Sequence, residues 1–463
     1  AVLAASIFHY NKYTVQDVKN KIDNILFRNI KTTEKKNPEI NCNNILKIKK
    51  YIPGSLTKNR KAFNNDVLQV ATEIMNSVQN NGNEGMLHYA LKFNDIQENQ
   101  QYIYTKEEMK ESLNYVDDDT LKLINRTISR VKYFANEQLK SINNCEINIP
   151  GGISGHKIFP LNTVGCYAPN GRFPLPSSII MTCTPAKVAN CKEIWVACPK
   201  PNHLLLATAY LSGADYLLGI GGAQAIGAFT YGTETVSKCD IIVGPGSPWV
   251  TAAKYIASGK VRIDMLAGPS EILVVADNSA IADVVASDLL AQSEHDINAM
   301  SILICTSEDI LLNIRLEIIK QLNELKTAQI AQKSLLNNSF SVISNNWDDI
   351  IKICDEIAPE HLELHTNNAN DIWTKFRNYG SIFIGHTSAE VLGDYGAGPN
   401  HTLPTGGTSQ SFSGLSVFNF LKYNTYLKIN NLEKSQTLVN DAINFSKIEG
   451  LDGHMKSAIK RLI

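Results

Sequence analysis

The sequence predicts an α/β fold built on parallel β-sheets. Two apolar, strand-like runs, residues 193–198 (EIWVAC) and 272–276 (ILVVA), alternate with helical stretches along the chain. A third run, residues 216–219 (YLLG), leads into a glycine-rich turn at 219–224 and then into an alanine-rich helical stretch. Parallel strands joined by crossover helices produce this alternation, because the helices cover the faces of the sheet.

Residues 281–295 are predicted to form an amphipathic helix, since apolar residues recur at helical spacing among good helix formers. Gln292 and His295 are three residues apart and therefore lie on one face near the helix end. An imidazole in that position can bind a divalent metal such as zinc. The alternative is a solvated or capping histidine, which the spacing taken by itself favours, because glutamine is a weak ligand.

Glu360 and His361 form an adjacent acid/base pair. They follow Pro359, whose fixed φ and missing N–H favour a turn or a helix start. A carboxyl group beside an imidazole can share proton transfers near neutral pH. The alternative is an ordinary helix N-terminus, where the glutamate faces the positive end of the helix dipole.

The glycine- and proline-rich segment 393–408 carries Asp394, Asn400 and His401. It is predicted to be a long irregular loop, and such loops in compact domains are commonly functional. Asp394 is a candidate third metal ligand. Near the C-terminus, Glu449 and His454 open the last helical stretch and offer a further acid and imidazole, with a solvated helix cap as the alternative.

At this point the chain resembles the histidinol dehydrogenase family, from about residue 60 to the C-terminus. The resemblance rests on strings that occur in family order: 164–171 (VGCYAPNG), 174–178 (PLPSS), 221–225 (GGAQA), 243–246 (VGPG), 263–271 (IDMLAGPSE), 286–295 (ASDLLAQSEH), 358–363 (APEHLE) and 393–401 (GDYGAGPNH). Agreement across so many strings outweighs the local alternatives for single residues.

The resemblance implies a metal site, a proton-transfer pair and two binding sites. The metal ligands would be Gln292, His295, Asp394 and, from the partner subunit of an intertwined homodimer, His454. The proton-transfer pair would be Glu360 and His361. Substrate contacts would come from Ser270, Gln292, His295, His361, Asp394, His401, Glu449 and His454, of which Glu449 and His454 would cross the interface. Dinucleotide contacts would come from Tyr167, Gln224 and Ser247.

The implied reaction is the four-electron oxidation of L-histidinol to L-histidine, through L-histidinaldehyde, with two hydride transfers to NAD. One Zn²⁺ per subunit would position the substrate more than act as a Lewis acid. We expect His361 to accept the alcohol proton in the first oxidation. Glu360 would activate the water that hydrates the aldehyde before the second.

Two features of the cofactor region depart from common patterns. Ser247, followed by Pro248, stands where the family usually has asparagine, and its shorter side chain predicts weaker dinucleotide binding. The turn at 219–224 has Gln224 where the standard dinucleotide fingerprint has its third glycine. We interpret it as a modified nucleotide-binding turn on the strength of the resemblance.

The resemblance also predicts the domain organisation, with two incomplete Rossmann-like domains and small terminal extensions. Residues 1–55 would form an N-terminal arm, and residues 56–166 would pair with 271–415 as the domain that carries the metal and acid/base residues. Residues 167–270 would form the NAD-binding domain. Residues 416–463 would be a helical extension that reaches the partner subunit.

Composition limits the partners and the compartment. A net charge of -1 argues against a nucleic acid or an anionic membrane as partner. No apolar run approaches the roughly 20 residues that span a bilayer. Nine cysteines without a C-x-x-C pair favour a reducing compartment, and the start of the chain has no basic segment typical of a secretory signal. We expect the cytoplasm, or a plastid if the source is a plant or an alga.

Two other functions remain open. The first is a related NAD-dependent dehydrogenase that acts on another small alcohol, such as a sulfonated diol; the presence of Glu449 and His454 favours histidinol over it. The second is a non-catalytic homologue that serves as a binding subunit. All the matched ligand and acid/base positions are filled, which argues against that second function.

Overall fold

A computed structural model describes residues 44–56, 60, 62–170 and 174–463. Residues 42–463 form one compact unit. The strands are β1 (Lys47–Ile48), β2 (Ile103–Thr105), β3 (Cys145–Ile149), β4 (Gly152–Pro160), β5 (Thr163–Tyr167), β6 (Glu193–Ala197), β7 (Tyr216–Leu218), β8 (Ile241–Val243), β9 (Arg262–Ile263), β10 (Glu271–Ala276), β11 (Met300–Cys305), β12 (Phe340–Ile343), β13 (His361–His365), β14 (Ser381–Ile384) and β15 (Leu421–Ile429).

The α-helices are α1 (Asn65–Lys92), α2 (Lys106–Glu111), α3 (Asp118–Lys140), α4 (Pro176–Val188), α5 (His203–Ser212), α6 (Gly222–Tyr231), α7 (Pro248–Ala257), α8 (Ala282–Ser293), α9 (Glu308–Leu322), α10 (Ala328–Asn337), α11 (Trp347–Ile357), α12 (Ala369–Ile372), α13 (Glu390–Asp394), α14 (Gln436–Ile448) and α15 (Asp452–Ile459). The predicted helix at 281–295 is confirmed as α8. The strands predicted at 193–198 and 272–276 are confirmed as β6 and β10.

Two six-stranded sheets organise the fold. Sheet A has the order β1-β12-β11-β10-β13-β14, with every neighbouring pair parallel. Sheet B has the order β2-β7-β6-β5-β8-β9 and is parallel except for β2, which pairs antiparallel with β7. The predicted α/β fold with parallel sheets is therefore confirmed. Strands β15, β4 and β3 form a separate antiparallel sheet C.

The two large sheets share one strand order. Numbered from the first of their five successive strands, β12-β11-β10-β13-β14 and β7-β6-β5-β8-β9 both have the order 3-2-1-4-5. The order reverses between strands 1 and 4, which are β10 and β13 in sheet A and β5 and β8 in sheet B. In open α/β sheets, the crevice outside the carboxyl ends of those two strands is the usual ligand position.

Sheet membership differs from the predicted domains in one respect. Strand β2 belongs to sheet B, and helix α1 packs on α6 and α7, which follow strands of sheet B. Both elements were expected in the domain that pairs residues 56–166 with 271–415. The physical reason is the apolar face of α1, where Met75 and Val78 join the core cluster that contains Ile226 and Phe229. The rest of the predicted domain organisation stays a prediction.

The two ends of the described chain attach to different sheets. Lys47–Ile48 lies within the predicted N-terminal arm, yet it extends sheet A as β1 beside β12; residues 1–43 lie outside the described residues. At the other end, β15 completes sheet C, and α14 packs on α15 through Val439, Ile443 and Ala458. None of the helices in the described ranges is both long and apolar enough to cross a bilayer.

Candidate active site

The proposed acid/base pair lies at the amino edge of sheet A. Strands β10 and β13 are parallel neighbours, with Ile272 opposite His361, so the residues that enter these two strands meet at one edge. Ser270 precedes β10, and Glu360 precedes β13. Helix α11 ends at Ala358 with a left-handed φ of 47°, and the chain then turns into the strand. Pro359 was compatible with either a turn or a helix start, and the structure has the turn.

The backbone of Glu271 aligns both members of the pair. Its N–H donates to Oε2 of Glu360 at 2.8 Å, and its carbonyl oxygen lies 3.1 Å from Nδ1 of His361. Because a carbonyl only accepts, Nδ1 carries the proton, which leaves Nε2 of a neutral imidazole as an acceptor. The Glu271 carboxylate is in turn paired with Arg60 and accepts from the Gly406 N–H at 3.2 Å. These contacts of Glu271 and Arg60 were not predicted from the sequence.

Burial sets the protonation of the pair. Burial lowers the pKa of His361 to about 4, against the opposing effect of the Asp394 carboxylate, so the imidazole is neutral at pH 7. Its Nε2 lies 3.8 Å from Oδ1 of Asp394 and has no hydrogen-bond partner among the described residues. Burial also raises the pKa of Glu360 well above its usual range. A neutral imidazole with an uncommitted nitrogen can accept a proton from a substrate hydroxyl.

Three of the predicted metal ligands gather beside His361. His295 and Asp394 approach each other with Nε2 and Oδ2 4.0 Å apart, and His295 is half exposed. Gln292, one turn earlier on the same helix end, is completely buried. Nδ1 of His401 donates to the backbone carbonyl of Asp394 at 2.9 Å, which keeps this predicted substrate contact in the cluster.

A fourth residue in the cluster, Glu390, was missed from the sequence. One ligand atom each from His295, Glu390 and Asp394 lie within 4.8 Å of one another. Glu390 begins helix α13 and Asp394 ends it, so this part of the predicted irregular loop is helical and the two carboxylates share a face. That spacing of four residues was the available signal. An imidazole with carboxylate and amide oxygens fits a zinc-type cation.

The two remaining predicted substrate residues are not in this cluster. Glu449 follows the last residue of α14, and His454 lies within α15; both are exposed. Within the described part of the chain, neither side chain forms a hydrogen bond or an ion pair with the residues around His361. A single copy of the chain therefore presents three of the four predicted metal ligands together.

A second group of metal-capable side chains, the inner triad of Asp288, Glu363 and His365, is fully buried. Nε2 of His365 lies 3.4 Å from Oδ2 of Asp288 and 3.3 Å from Oε2 of Glu363. Burial lowers the pKa of His365, but its hydrogen bonds to Asp288 and Glu363 outweigh burial and raise that pKa to about 9. The imidazolium therefore compensates the two carboxylates.

The three predicted cofactor residues lie at the carboxyl edge of sheet B, with Tyr167 as the last residue of β5 and Gln224 and Ser247 after β7 and β8. The Tyr167 hydroxyl accepts from the Gly222 N–H at 3.0 Å. Gln224 donates through Nε2 to Asp95 at 2.9 Å, and the Gly221 N–H reaches the same carboxylate oxygen at 3.0 Å. Asp95 thus occupies the N-terminus of α6, and no sequence pattern indicated this contact. The turn also follows the third strand of the 3-2-1-4-5 order, whereas a standard dinucleotide turn follows the first.

A buried ion pair supports the third cofactor segment. Gly244 has a φ of 112°, and a Cβ there would lie 2.1 Å from the carbonyl oxygen of Tyr167, so only glycine fits. Its carbonyl accepts from Nζ of Lys254 at 2.9 Å, and its N–H donates to Asp264 at 2.7 Å. Lys254 and Asp264 are themselves paired and buried. Ser247, next along the chain, is exposed and precedes helix α7 without capping it through its side chain.

Comparison with known proteins identifies the family. The family model described as histidinol dehydrogenase matches residues 57–462. The chain is 37% identical over 412 residues to histidinol dehydrogenase of Methanocaldococcus jannaschii, which covers 88% of this chain and 95% of that protein. It is 39% identical over 411 residues to the enzyme of Lactococcus lactis subsp. lactis, with 87% and 94% covered.

A crystal structure of histidinol dehydrogenase from Elizabethkingia anophelis superposes with a TM-score of 0.83 at 33% sequence identity. The match covers 90% of this chain and 98% of that one. The likeness therefore extends over both large sheets. The chain belongs to the histidinol dehydrogenase family and is an enzyme of that type.

Proposed function

We propose that this chain oxidises L-histidinol to L-histidine in two successive hydride transfers to NAD, with a zinc ion at the cluster beside His361. The observation that carries the proposal is the geometry at the amino edge of sheet A. There a buried neutral imidazole with an uncommitted Nε2 faces Asp394 and adjoins the Glu360 carboxyl group. A base, an acid and a set of metal-capable side chains thus converge on one place.

Gln292, His295 and Asp394 are the residues of this chain that would hold the metal. When bound, the ion would supply a fixed positive charge to which nitrogen atoms of the substrate could bind. A substrate held by two nitrogen atoms keeps its reacting carbon in place while the aldehyde is formed and consumed. Such retention is needed because the aldehyde would otherwise escape between the two oxidations.

The two oxidations require different proton movements. In the first, Nε2 of His361 accepts the hydroxyl proton as the carbon loses a hydride, and the product is the aldehyde. A water molecule then adds to the aldehyde, and Glu360 in its ionised form accepts a proton of that water, as a stronger base than an ordinary carboxylate because burial raises its pKa. In the second, the resulting hydrate anion loses a hydride to the dinucleotide and becomes the carboxylic acid. The Glu271 backbone contacts hold the side chains of Glu360 and His361 in position for these steps.

Tyr167, Gln224 and Ser247 would bind the dinucleotide, which accepts the hydride in each oxidation. Support comes from the chain path between the sheets. Strand β9 ends at the carboxyl edge of sheet B, and residues 264–270 lead directly to the start of β10 at the amino edge of sheet A. An extended segment of that length spans at most about 25 Å. The same segment contacts α7, where the Thr251 hydroxyl donates to the Ala267 carbonyl at 2.8 Å.

A homodimer would supply the remaining ligands, His454 and Glu449 of each chain acting in the site of the other. Both residues are exposed, and large apolar side chains around them are exposed too, among them Phe445, Ile448 and Leu451. Burial of such a surface by a partner is favourable. Free thiols at all described cysteines fit a reducing compartment, and we propose the cytoplasm, with a plastid as the alternative for a plant or algal source.

The decisive experiment is NADH production by zinc-loaded protein given L-histidinol, counted against histidine formed. Two NADH per histidine would establish both oxidations in one enzyme. No NADH from histidinol, with the metal bound and the protein folded, would refute the proposal. Turnover of a sulfonated diol instead would favour the related dehydrogenase, and metal and dinucleotide binding without any turnover would favour a binding subunit.

The division of labour between Glu360 and His361 can be tested separately with L-histidinaldehyde as substrate. Glu360→Gln should impair the oxidation of added aldehyde more than its formation from histidinol. If that variant oxidised the aldehyde at the full rate while losing the first oxidation, the two roles would be reversed.

A further inference from the structure

We propose that Glu390 is a positioning residue that orients the Gln292 amide, so that its oxygen and not its nitrogen faces the metal. This inference rests on the proposed function, because it takes Gln292 to be a ligand. A glutamine can present either end of its amide, and only the oxygen has lone pairs to offer a cation. A glutamine ligand therefore needs a neighbour that selects one orientation.

Glu390 is the neighbour with the required geometry. With Nε2 turned toward Glu390, the Gln292 amide donates to Oε1 at 2.7 Å and to Oε2 at 3.2 Å. The reverse orientation would place the amide oxygen against two carboxylate oxygens. Gln292 is completely buried and Glu390 is 1% exposed, so water cannot compensate for a mismatched pair. Orientation by Glu390 therefore directs the amide oxygen away from Glu390.

With both amide N–H groups directed at Glu390, the oxygen is the atom of Gln292 that stays free to bind a metal. His295 lies three residues after Gln292, beyond the end of α8, and Asp394 lies four residues after Glu390 on α13. Helical spacing places Glu390 and Asp394 on one face of α13, and one atom each of His295, Glu390 and Asp394 lie within 4.8 Å of one another. The amide joins this group through its contact with Glu390.

The backbone fixes the position of Glu390 itself. Its N–H, at the start of α13, donates to Oε1 of Glu363 at 2.7 Å. Glu363 lies on β13, two residues after His361 and on the same face of the strand. The strand that carries the proposed base therefore also holds the helix that carries Glu390. Because the contact uses the backbone, substitutions of the Glu390 side chain leave it in place.

The first test is Zn²⁺ affinity of Glu390→Gln, measured by competition with a chelator, together with the visible spectrum of the Co²⁺ form. The substituted amide accepts through one atom and donates through the other, so it no longer selects one orientation of Gln292. We expect affinity to fall by about tenfold to a hundredfold, as for other partners of metal ligands, and the Co²⁺ spectrum to change. Affinity within about twofold of the parent would overturn the proposal.

A second variant separates orientation from direct ligation by Glu390. Gln292→Glu replaces the amide by a carboxylate, which needs no orientation and would repel Glu390. In this background Glu390→Gln should leave Zn²⁺ affinity unchanged or increase it, because the new amide donates to the carboxylate. A decrease in the double variant relative to Gln292→Glu would show that Glu390 binds the metal itself, and would overturn the proposal.

Asp288→Asn is the matched control for loss of a buried negative charge. Asp288 lies on α8 one turn before Gln292 and is paired with His365 rather than with the amide. We expect this variant to keep the parent affinity for Zn²⁺, and an equal loss in both variants would overturn the orienting role in favour of a charge effect. Thermal unfolding of each variant shows that the folded state is retained. A parent chain that binds no Zn²⁺ would refute the proposed metal site as well, whereas a metal-binding parent with an unaffected Glu390→Gln would refute only the orienting role.

Discussion

Sheets A and B have the same strand order, yet their functional residues lie at opposite edges. In sheet B, Tyr167, Gln224 and Ser247 lie at or after the carboxyl ends of strands, as is usual for open α/β sheets. In sheet A, Ser270, Glu360 and His361 lie at the amino edge instead. Strand order alone therefore does not locate a site. The path of the chain between the two sheets matters as well.

The inner triad explains part of the contrast. It places His365 at the carboxyl end of β13, beside the point where the strand order of sheet A reverses. A ligand would be expected there, but the imidazole is already paired with Asp288 and Glu363. Meanwhile residues 264–270 carry the chain from the carboxyl edge of sheet B to the amino edge of sheet A. This connection therefore brings the carboxyl edge of sheet B within reach of the amino edge of sheet A.

The largest expected effect is on turnover, when the proposed base at the amino edge of sheet A is removed. His361→Gln should lower turnover of histidinol by about 10²–10⁴-fold, because positioned proton transfer contributes that much. NAD binding, measured as a dissociation constant, should be unchanged, since the cofactor residues lie at the other sheet. His365→Gln makes the same chemical change four residues further along the strand and should keep most of the turnover. Equal losses in the two variants would contradict the assignment of the amino edge.

A second test concerns the support of the carboxyl edge of sheet B. Lys254→Met leaves Asp264 buried without its cation, which should lower the free energy of unfolding by about 3–5 kcal/mol. Denaturant titration measures the loss, and NAD affinity should fall because Gly244 loses a donor. The double variant Lys254→Met/Asp264→Leu removes both charges and should recover much of the stability. If the single variant were as stable as the parent, the ion pair would not support this edge.

The inner triad predicts a pH dependence of stability. The pKa of His365 is about 9 in the folded chain, against 6.5 for an ordinary histidine. Its stabilisation is therefore fully present below pH 6.5 and is lost as the pH rises through 9, by at most about 3 kcal/mol. Unfolding measured between pH 6 and 9.5 should show this decline in the parent and a flatter profile in His365→Gln. The same decline in both would mean that another group titrates.

The smallest expected effect is at Ser247. Ser247→Asn restores the amide that the family usually has, and should tighten NAD binding by about threefold to tenfold, the value of one added hydrogen bond. Calorimetric titration with NAD measures the change. Ser258→Asn, at the exposed far end of α7, is the matched control and should have no effect. An unchanged dissociation constant for Ser247→Asn would remove Ser247 from the cofactor site.

The elements that sequence analysis located were those with local signals. Helix α8 and strand β10 carry their periodicity and apolar character within a few residues. The sheet that a helix covers has no such signal, and α1, which was expected in one domain with residues 271–415, packs on helices that follow strands of sheet B. Its partners Ile226 and Phe229 lie about 150 positions later in the chain and become neighbours only through packing.

The residues of the candidate site that lie in family strings could be predicted from the sequence. Residues that act through their backbone, or that contact a residue far away in the sequence, were harder to predict. Glu271 was part of a matched string, but its contacts to Glu360 and His361 come from its backbone, which no residue type reveals. The pairing of Lys254 with Asp264 and the contact of Asp95 with Gln224 depend on tertiary structure. Glu390 was the exception, since its spacing from Asp394 was visible in the sequence.

The Glu271 backbone contacts have a consequence for how this chain can evolve. Any residue except proline offers the same N–H and carbonyl, so substitutions at this position preserve the hydrogen bonds to Glu360 and His361. A one-residue insertion or deletion in 264–270 would instead shift β10 against β13 and present the opposite face of the strand. The segment between the sheets should accordingly keep a constant length among descendants of this gene, because its length sets the register of β10 against β13.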